Sequence, residues 1–250
     1  MQPFLSLNNI SYSYHNLKGE TPAITNISFQ VMEGEFLAIV GPSGCGKSTL
    51  LSVIAGLLEP EQGNLSYSSA STIGYMLQRD HLFEWRTIYQ NVILGLELQK
   101  KLSKDNIDYV LHLLTEYGLD AFADKKPSEL SGGMRQRAAL IRTMAIKPDL
   151  LLLDEPFSAL DFQTRLTVSA DIGNIIRRNN KTAILITHDL SEAITLADRV
   201  IVLSKRPASI KSELSIIYDT DRSNPLSIRS SEAYQTYFDL LWKELSDDLS

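Results

Sequence analysis

The chain has 250 residues, of which 44% are apolar, so it can fill the core of one large α/β domain or two small ones. Its formal net charge of −6, from 24 basic and 30 acidic residues, argues against a nucleic-acid partner, which requires a basic face. Cys45 is the single cysteine, so no intrachain disulfide can form, and a reducing cytosol is the expected location.

The apolar patterning predicts a strand-rich N-terminal part, a helical segment, and then strands that alternate with helices. Strands are predicted over 5–13, 27–31, 36–40, 64–67, 72–76, 150–153, 182–187 and 199–203. Helices are predicted over 47–57, 88–100, 104–117, 134–146, 162–178, 190–197 and 233–245. Short apolar runs between helices indicate a parallel sheet covered on both faces. We therefore expect one α/β domain over 1–250, with a helical insert at about 87–145 and a short tail over 206–250.

The sequence predicts neither a signal peptide at residues 1–10 nor a membrane-spanning helix. Residues 1–10 lack a basic stretch followed by an apolar one, so we expect no signal peptide. The longest apolar runs, such as 150–153 and 183–186, have the length of strands, whereas a membrane-spanning helix needs about 20 apolar residues. We therefore expect the chain itself not to cross a bilayer.

A glycine-rich loop follows the predicted strand 36–40 and precedes a predicted helix. The loop has two glycines separated by four residues and followed by Lys and Ser; its members are Gly41, Pro42, Ser43, Gly44, Cys45, Gly46, Lys47 and Ser48. Glycines let successive N–H groups point at phosphate oxygens, and the helix adds its positive N-terminal end. Lys47 would reach the β- and γ-phosphates, and the Ser48 hydroxyl would bind Mg²⁺. The pattern predicts a nucleoside triphosphate site that also includes Thr49, with Cys45 as a small spacer.

Two carboxylates, Asp154 and Glu155, follow the apolar run 150–153. A carboxylate at the C-terminal end of a buried parallel strand faces the crevice where open α/β sheets bind ligands. Asp154 would hold Mg²⁺ through water, and Glu155 would polarise the attacking water as general base. The alternative is a strand that merely ends in solvated acids.

A serine and two glycines, Ser131, Gly132 and Gly133, open a predicted helix and form a second backbone anion site. The stretch 130–137 resembles the signature motif of ABC ATPases, and other family motifs follow in order over roughly residues 3–205. Gln78 resembles the Q-loop glutamine, residues 158–161 resemble the D-loop, and His188 resembles the switch histidine. Tyr14 falls where the family stacks an aromatic ring on adenine, but Tyr12 is the alternative and either ring would also serve for ordinary packing.

This resemblance implies a P-loop NTPase fold of the ABC-ATPase type, with a mixed or parallel sheet core, an antiparallel N-terminal β part and an α-helical insert. It implies a head-to-tail homodimer that sandwiches two ATP molecules, each between the phosphate loop of one copy and Ser131, Gly132 and Gly133 of the other. It also implies that Asp161 acts across the dimer, that His188 contacts the γ-phosphate, and that Gln78 serves both catalysis and Mg²⁺ binding.

The variant signature motif points to a subfamily. Met134 stands where many members have glutamine, and together with 135–137 and the segment 82–87 it resembles the ATPases of nitrate, sulfonate, taurine and thiamine-precursor importers. Glu84 departs from this pattern, because proline is common there. The resemblance implies a location on the inner face of the cell membrane, transmembrane permease subunits as partners, and an extracytoplasmic substrate-binding protein that helps to select the solute.

Two interpretations of Phe83 and Trp85 stay open. Either these residues line a groove that receives a short permease helix, or both rings lie in the core.

Other functions of the chain also stay open. One is the ATPase of an exporter or lipoprotein-release system. Another is a soluble ABC ATPase of DNA repair or translation, which usually has two cassettes or a long coiled-coil insert. A kinase shares the phosphate loop, but the signature motif and Glu155 argue against it.

Overall fold

The computed structural model describes residues 3–17, 19–69, 71–158, 160–218 and 225–246. The strands are β1 (Leu5–Asn16), β2 (Gly19–Val31), β3 (Phe36–Val40), β4 (Gln62–Tyr67), β5 (Ile73–Met76), β6 (Leu150–Asp154), β7 (Thr182–Ile186), β8 (Arg199–Leu203) and β9 (Ile210–Ser215). The α-helices are α1 (Lys47–Ile54), α2 (Ile88–Val92), α3 (Leu94–Leu98), α4 (Lys104–Glu116), α5 (Gly132–Ala145), α6 (Phe162–Arg178), α7 (Leu190–Leu196), α8 (Pro225–Arg229) and α9 (Glu232–Ser246). Two short 3-10 helices, Asp120–Phe122 and Pro127–Glu129, precede α5.

The chain divides into two units, the first made of Met1–Ala70 and Gly173–Ser250 and the second of Ser71–Ile172. In the first unit β1 pairs antiparallel with both β2 and β4. Strand β2 begins at Gly19, eight residues before the predicted strand 27–31, because its first part pairs with the end of β1 as a largely exposed hairpin. An exposed hairpin carries little hydrophobic alternation, so the sequence pattern did not predict it.

The phosphate-loop strand lies at the centre of a second sheet in the first unit. β3 is parallel to β7 on one side and to β8 on the other, and β9 pairs antiparallel with β8. Every residue of β3 and β7 is buried, as expected for parallel strands covered on both faces. β9 was not predicted; it alternates half-buried and exposed residues as an antiparallel edge strand. α7 packs on β3, and α9 packs on α7.

The second unit contains the parallel pair β5 and β6 and the predicted helical segment. α5 packs against β5 and against α2, α3 and α4. The predicted helix 88–100 is instead two short helices, α2 and α3, which meet at Ile93. α3 lies close to the end of α5. A Cβ atom on Gly95 of α3 would be only 2.6 Å from Cγ2 of Ile146, the residue that follows α5.

These units confirm the predicted α/β class with parallel and antiparallel strands and an antiparallel N-terminal part. The extent of a single ATPase domain over 1–250 stays a prediction.

Helix α1 ends at Ile54, before the predicted Leu57. Gly56 follows it with φ of 71°, a left-handed conformation that ends the helix. Among the described residues, none of the helices combines the length and the apolarity needed to cross a membrane.

Candidate functional site

The glycine-rich loop joins β3 to α1 in the first unit, as the sequence predicted. The Lys47 side chain is buried and its Nζ donates hydrogen bonds to the carbonyl oxygens of Gly41 at 2.8 Å and Pro42 at 3.0 Å. These bonds hold the ammonium group inside the curve of the loop. Ser43, Gly44 and Ser48 are exposed.

Gly46 is required by the geometry of the loop. It has φ of 129°, and a Cβ there would lie 2.6 Å from the carbonyl oxygen of Ala23. Neither the backbone conformation nor the space accepts another residue without a shift. The loop is therefore pressed against β2 immediately before α1 begins.

Cys45 points into the protein from the middle of the loop. Its thiol is buried, with 2% of the residue exposed, and burial raises its pKa, while the nearby Lys47 charge acts in the opposite direction. The protonated thiol is thus the form present near neutral pH. This placement is consistent with the predicted role of Cys45 as a small spacer.

Tyr14 lies beside the phosphate loop. Its hydroxyl is 3.1 Å from Thr49 Oγ1, the third residue of α1, and the residue is 41% exposed. Tyr12 meets the Tyr14 ring edge-on, with the ring centroids 5.1 Å apart. The structure thus connects Tyr14 directly to α1 and puts Tyr12 behind it as a packing partner.

His188 follows β7 in the same unit and is exposed. The next residue, Asp189, is the N-cap of α7 and accepts hydrogen bonds from the backbone N–H groups of Ser191 at 2.8 Å and Glu192 at 3.4 Å. Thr187 Oγ1, on the other side of His188, donates to Glu192 Oε2 at 2.6 Å. His188 is therefore carried on a short turn that is fixed at both ends.

The second unit holds the two predicted carboxylates. Asp154 ends β6 and is buried, and the Tyr75 hydroxyl of the neighbouring β5 donates to its Oδ2 at 3.4 Å. Glu155 has φ of 44°, which is uncommon for a residue with a side chain and costs about 1–3 kcal/mol. Gln78, which follows β5, donates from Nε2 to Glu155 Oε2 at 3.3 Å. The structure thus brings Gln78 to Glu155.

The signature segment opens α5. Ser131 is the N-cap, and its Oγ accepts the N–H of Met134 at 3.4 Å. Ser131 and Gly132 are exposed, whereas Gly133 is buried; a Cβ on Gly133 would lie 2.8 Å from Thr164 Cγ2. Gly133 therefore allows α5 to approach α6, and the two residues before it leave the helix N-terminus accessible to an anion.

Asp161 is the N-cap of α6, where its Oδ1 accepts the backbone N–H of Thr164 at 3.1 Å. Hydrogen bonds from Thr164 lower the pKa of this exposed carboxyl group. Of the predicted D-loop 158–161, Ala159 lies outside the described residues. Ser158 donates from its N–H and its hydroxyl to the carbonyl oxygen of Glu155, at 3.2 and 3.0 Å. The D-loop segment thus begins with a turn that is bonded to Glu155.

Phe83 and Trp85 stack on each other with centroids 4.6 Å apart, and Trp85 is 71% exposed. The interpretation that both rings lie in the core is therefore wrong for Trp85. Sequence reasoning missed the ion pairs that hold this segment: Arg135 binds Asp80 at 2.9 Å and Glu84 at 3.3 Å. The sequence gives no signal for a pair whose members lie so far apart along the chain.

Comparisons with known proteins assign the family of the chain. The family model described as ABC transporter matches residues 24–158. The chain is 44% identical to the ABC transporter ATP-binding protein YtlC of Bacillus subtilis (strain 168), over 97% of this chain and 96% of that protein. It is 40% identical to the nitrate import ATP-binding protein NrtD of Synechocystis sp., over 88% of this chain and 85% of that protein.

A solved structure shows the same fold. The chain is similar to the ATP-binding cassette MJ0796, whose dimeric post-hydrolysis structure holds ADP and Pi, with a TM-score of 0.74 and 28% identity over 86% of this chain and 99% of that chain. Together with the family match and the curated relatives, this likeness confirms the predicted P-loop NTPase fold of the ABC type. The chain belongs to the ABC transporter family and is an ATP-binding subunit that hydrolyses ATP.

Proposed function

We propose that this ATPase energises an importer for a small solute of the nitrate, sulfonate, taurine or thiamine-precursor type. The observation that carries the proposal is the 40% identity to a nitrate import ATP-binding protein over 88% of the chain. An ATPase of an exporter or lipoprotein-release system is the second candidate. The two differ in the direction of transport and in the membrane subunit that accompanies the chain.

Nucleotide binding falls to the phosphate loop and its neighbours. The backbone N–H groups of the loop bind the phosphates, Lys47 neutralises their charge, and the Tyr14 ring stacks on adenine. The hydroxyl contact from Tyr14 to Thr49 supports this assignment, since it fixes the ring next to α1. Gly41, Pro42, Ser43, Gly44, Cys45 and Gly46 shape the loop, and His188 contacts the γ-phosphate.

Hydrolysis requires a base, and Glu155 takes that role by accepting a proton from the attacking water. Its left-handed backbone conformation supports the assignment, because strain of this kind concentrates at functional positions. Gln78 is a neutral amide donor to the carboxylate, so it orients Glu155 without adding a charge.

The donor set suits Mg²⁺. Ser48 offers a hydroxyl, Gln78 an amide oxygen and Asp154 a carboxylate, and Mg²⁺ prefers such oxygen ligands. Bound there, the ion would neutralise charge on the β- and γ-phosphates. Tyr75 holds the Asp154 carboxylate from the neighbouring strand, which keeps one oxygen oriented.

The chain works as a head-to-tail homodimer in which Ser131, Gly132 and Gly133 of one copy bind the γ-phosphate held by the other, and Asp161 communicates between the copies. The exposed N-terminus of α5 supports this, because it offers N–H groups and a positive helix end. The dimeric state of MJ0796 with ADP and Pi supports it as well.

Transmembrane permease subunits dock on the exposed Trp85, which stacks on the half-buried Phe83, and a separate substrate-binding protein delivers the solute from outside. An exposed tryptophan supported by a second aromatic ring is a common feature of a protein contact. The ATPase thus acts at the cytoplasmic face of the cell membrane through these partners.

Uptake of labelled nitrate, sulfonates, taurine and a thiamine-precursor pyrimidine tests the proposal in cells that carry either the native chain or Glu155→Gln. We expect uptake of one compound to depend on the native chain and to be lost with the variant. If uptake of all four is the same in both strains while the purified native chain hydrolyses ATP, the cargo assignment is wrong and the exporter becomes the leading candidate.

A further inference from the structure

The C-terminal helix α9 is bonded to the turn that carries His188. The Tyr234 hydroxyl lies 2.7 Å from Ser191 Oγ, and the contact is partly buried. Ser191 is the second residue of α7 and stands three positions after His188. The region that matches the ABC transporter family ends at residue 158, so both residues of this contact lie outside it.

The turn around His188 has two internal supports. Thr187 Oγ1 donates to the buried Glu192 carboxylate at 2.6 Å and accepts the N–H of Asp189 at 3.0 Å. The Asp189 carboxylate in turn caps the N–H groups of Ser191 and Glu192. All of these bonds lie within residues 187–192 and fix the shape of the turn. The start of the turn is also tied to β3, because the N–H of Thr187 donates to the carbonyl oxygen of Ile39 at 3.3 Å.

Tyr234 adds a side-chain attachment at Ser191, on the other side of His188, and α9 is itself anchored. Leu241 of α9 is buried, and the Tyr237 hydroxyl binds both the N–H and the carbonyl oxygen of Ile217 at 3.1 Å. Tyr218 packs edge-on against Tyr237 and donates to the carbonyl oxygen of Ile194 at 3.4 Å. The first turn of α7 is therefore bonded to α9, and α9 is itself held by the contacts of Tyr237 and Leu241.

We infer that Tyr234 is a positioning residue for His188: its hydroxyl holds Ser191 and so fixes the first turn of α7, which sets the direction of the imidazole. The inference rests on the proposed role of His188 at the γ-phosphate. Because the hydroxyl acts on the geometry of hydrolysis and not on nucleotide binding, its removal lowers kcat and leaves KM nearly unchanged.

The alternative is that the bond only stabilises the fold. In that case Tyr234→Phe and Tyr237→Phe behave alike, since both remove a hydroxyl of α9 that is hydrogen-bonded in this structure. Tyr237→Phe is thus the matched control: it loses bonds to Ile217 and leaves the contact with α7 intact.

The experiment measures ATP hydrolysis and thermal unfolding of the full chain for Tyr234→Phe, Tyr237→Phe, Ser191→Ala and the pair Tyr234→Phe/Ser191→Ala. We expect Tyr234→Phe and Ser191→Ala each to lower kcat roughly threefold to tenfold with KM for ATP nearly constant, as loss of one hydrogen bond predicts. The double variant should fall no further, because both changes remove the same bond. Ser191→Thr keeps a hydroxyl and should retain most of the native kcat.

The inference is overturned if Tyr234→Phe lowers kcat no more than Tyr237→Phe, if the Tyr234 and Ser191 effects multiply, or if KM rises in step with the loss of kcat. His188→Ala separates this result from the proposed function. If His188→Ala hydrolyses ATP at the native rate, the role of His188 fails and the inference fails with it. If only His188→Ala is slow, His188 keeps its role and Tyr234 loses its own.

Discussion

Gln78 Nε2 donates to Glu155 Oε2 across 3.3 Å, although 77 residues separate the two in sequence. The contact arises because β5 and β6 are parallel neighbours, so their carboxyl ends lie at the same edge, with Gln78 following one strand and Glu155 the other. Glu155 has a left-handed backbone conformation, with φ of 44°. The pair therefore presents a carboxylate with one oxygen oriented by a neutral donor.

The first prediction concerns Glu155→Gln. The amide retains the size of the side chain but cannot accept a proton from water, so turnover should fall about 100-fold or more while ATP still binds. Phosphate release and nucleotide affinity measure the two effects separately, and size-exclusion chromatography with ATP should show a stable dimer.

Glu59→Gln is the matched control, since Glu59 is exposed and follows α1 outside the predicted site residues. It should hydrolyse ATP at the native rate. Near-native turnover of Glu155→Gln would remove Glu155 from the role of base.

The second prediction distinguishes Tyr14 from Tyr12. Stacking of a base on an aromatic ring is worth about 1–3 kcal/mol, so Tyr14→Ala should weaken ATP binding at least about fivefold. Tyr14→Phe keeps the ring and should change affinity little. Calorimetric titration with ATP measures each variant, and a larger loss for Tyr12→Ala than for Tyr14→Ala would assign the stacking ring to Tyr12.

The third prediction concerns the phosphate loop. Gly46→Ala adds a Cβ 2.6 Å from the Ala23 carbonyl oxygen at a φ of 129°, whereas Gly44→Ala adds one where nothing lies within 4 Å. Backbone strain costs about 1–3 kcal/mol, and the clash adds to it only at Gly46. Urea unfolding should therefore show a greater loss of stability for Gly46→Ala; an equal loss in both variants would mean that the contact with Ala23 is relieved without cost.

The fourth prediction concerns pH. Burial raises the pKa of the Cys45 thiol, so the folded chain contains less thiolate than the unfolded chain at any pH near the ordinary thiol value. Alkylation by iodoacetamide should be slow in the native protein through about pH 9 and fast in urea at the same pH. Equal rates in both states would show that the thiol is accessible and unperturbed.

The sequence alone determined the motif-bearing elements and their order. The loop 41–48, the strands β3, β6 and β7, and the helices α4, α5 and α7 lie close to their predicted ranges, because buried parallel strands and amphipathic helices have strong periodic patterns. The family also followed from short motifs, since phosphate chemistry requires fixed residue types at fixed spacing.

Elements with weak patterns escaped prediction. The exposed half of β2 and the edge strand β9 carry few buried residues, and the predicted helix 88–100 is divided at Ile93. A pattern of apolar residues reports burial, so an element that is half exposed leaves little trace in it.

The tertiary structure alone decided which side chains meet. It brought Tyr14 to Thr49, Gln78 to Glu155, and Tyr234 to Ser191, each pair separated by more than 30 residues. Hydrogen bonds of this kind depend on strand order and helix packing, which arise from burial of the whole core and not from the residues that form the bond. The sequence thus specified the chemistry that is available, and the packing of the core determined where that chemistry is assembled.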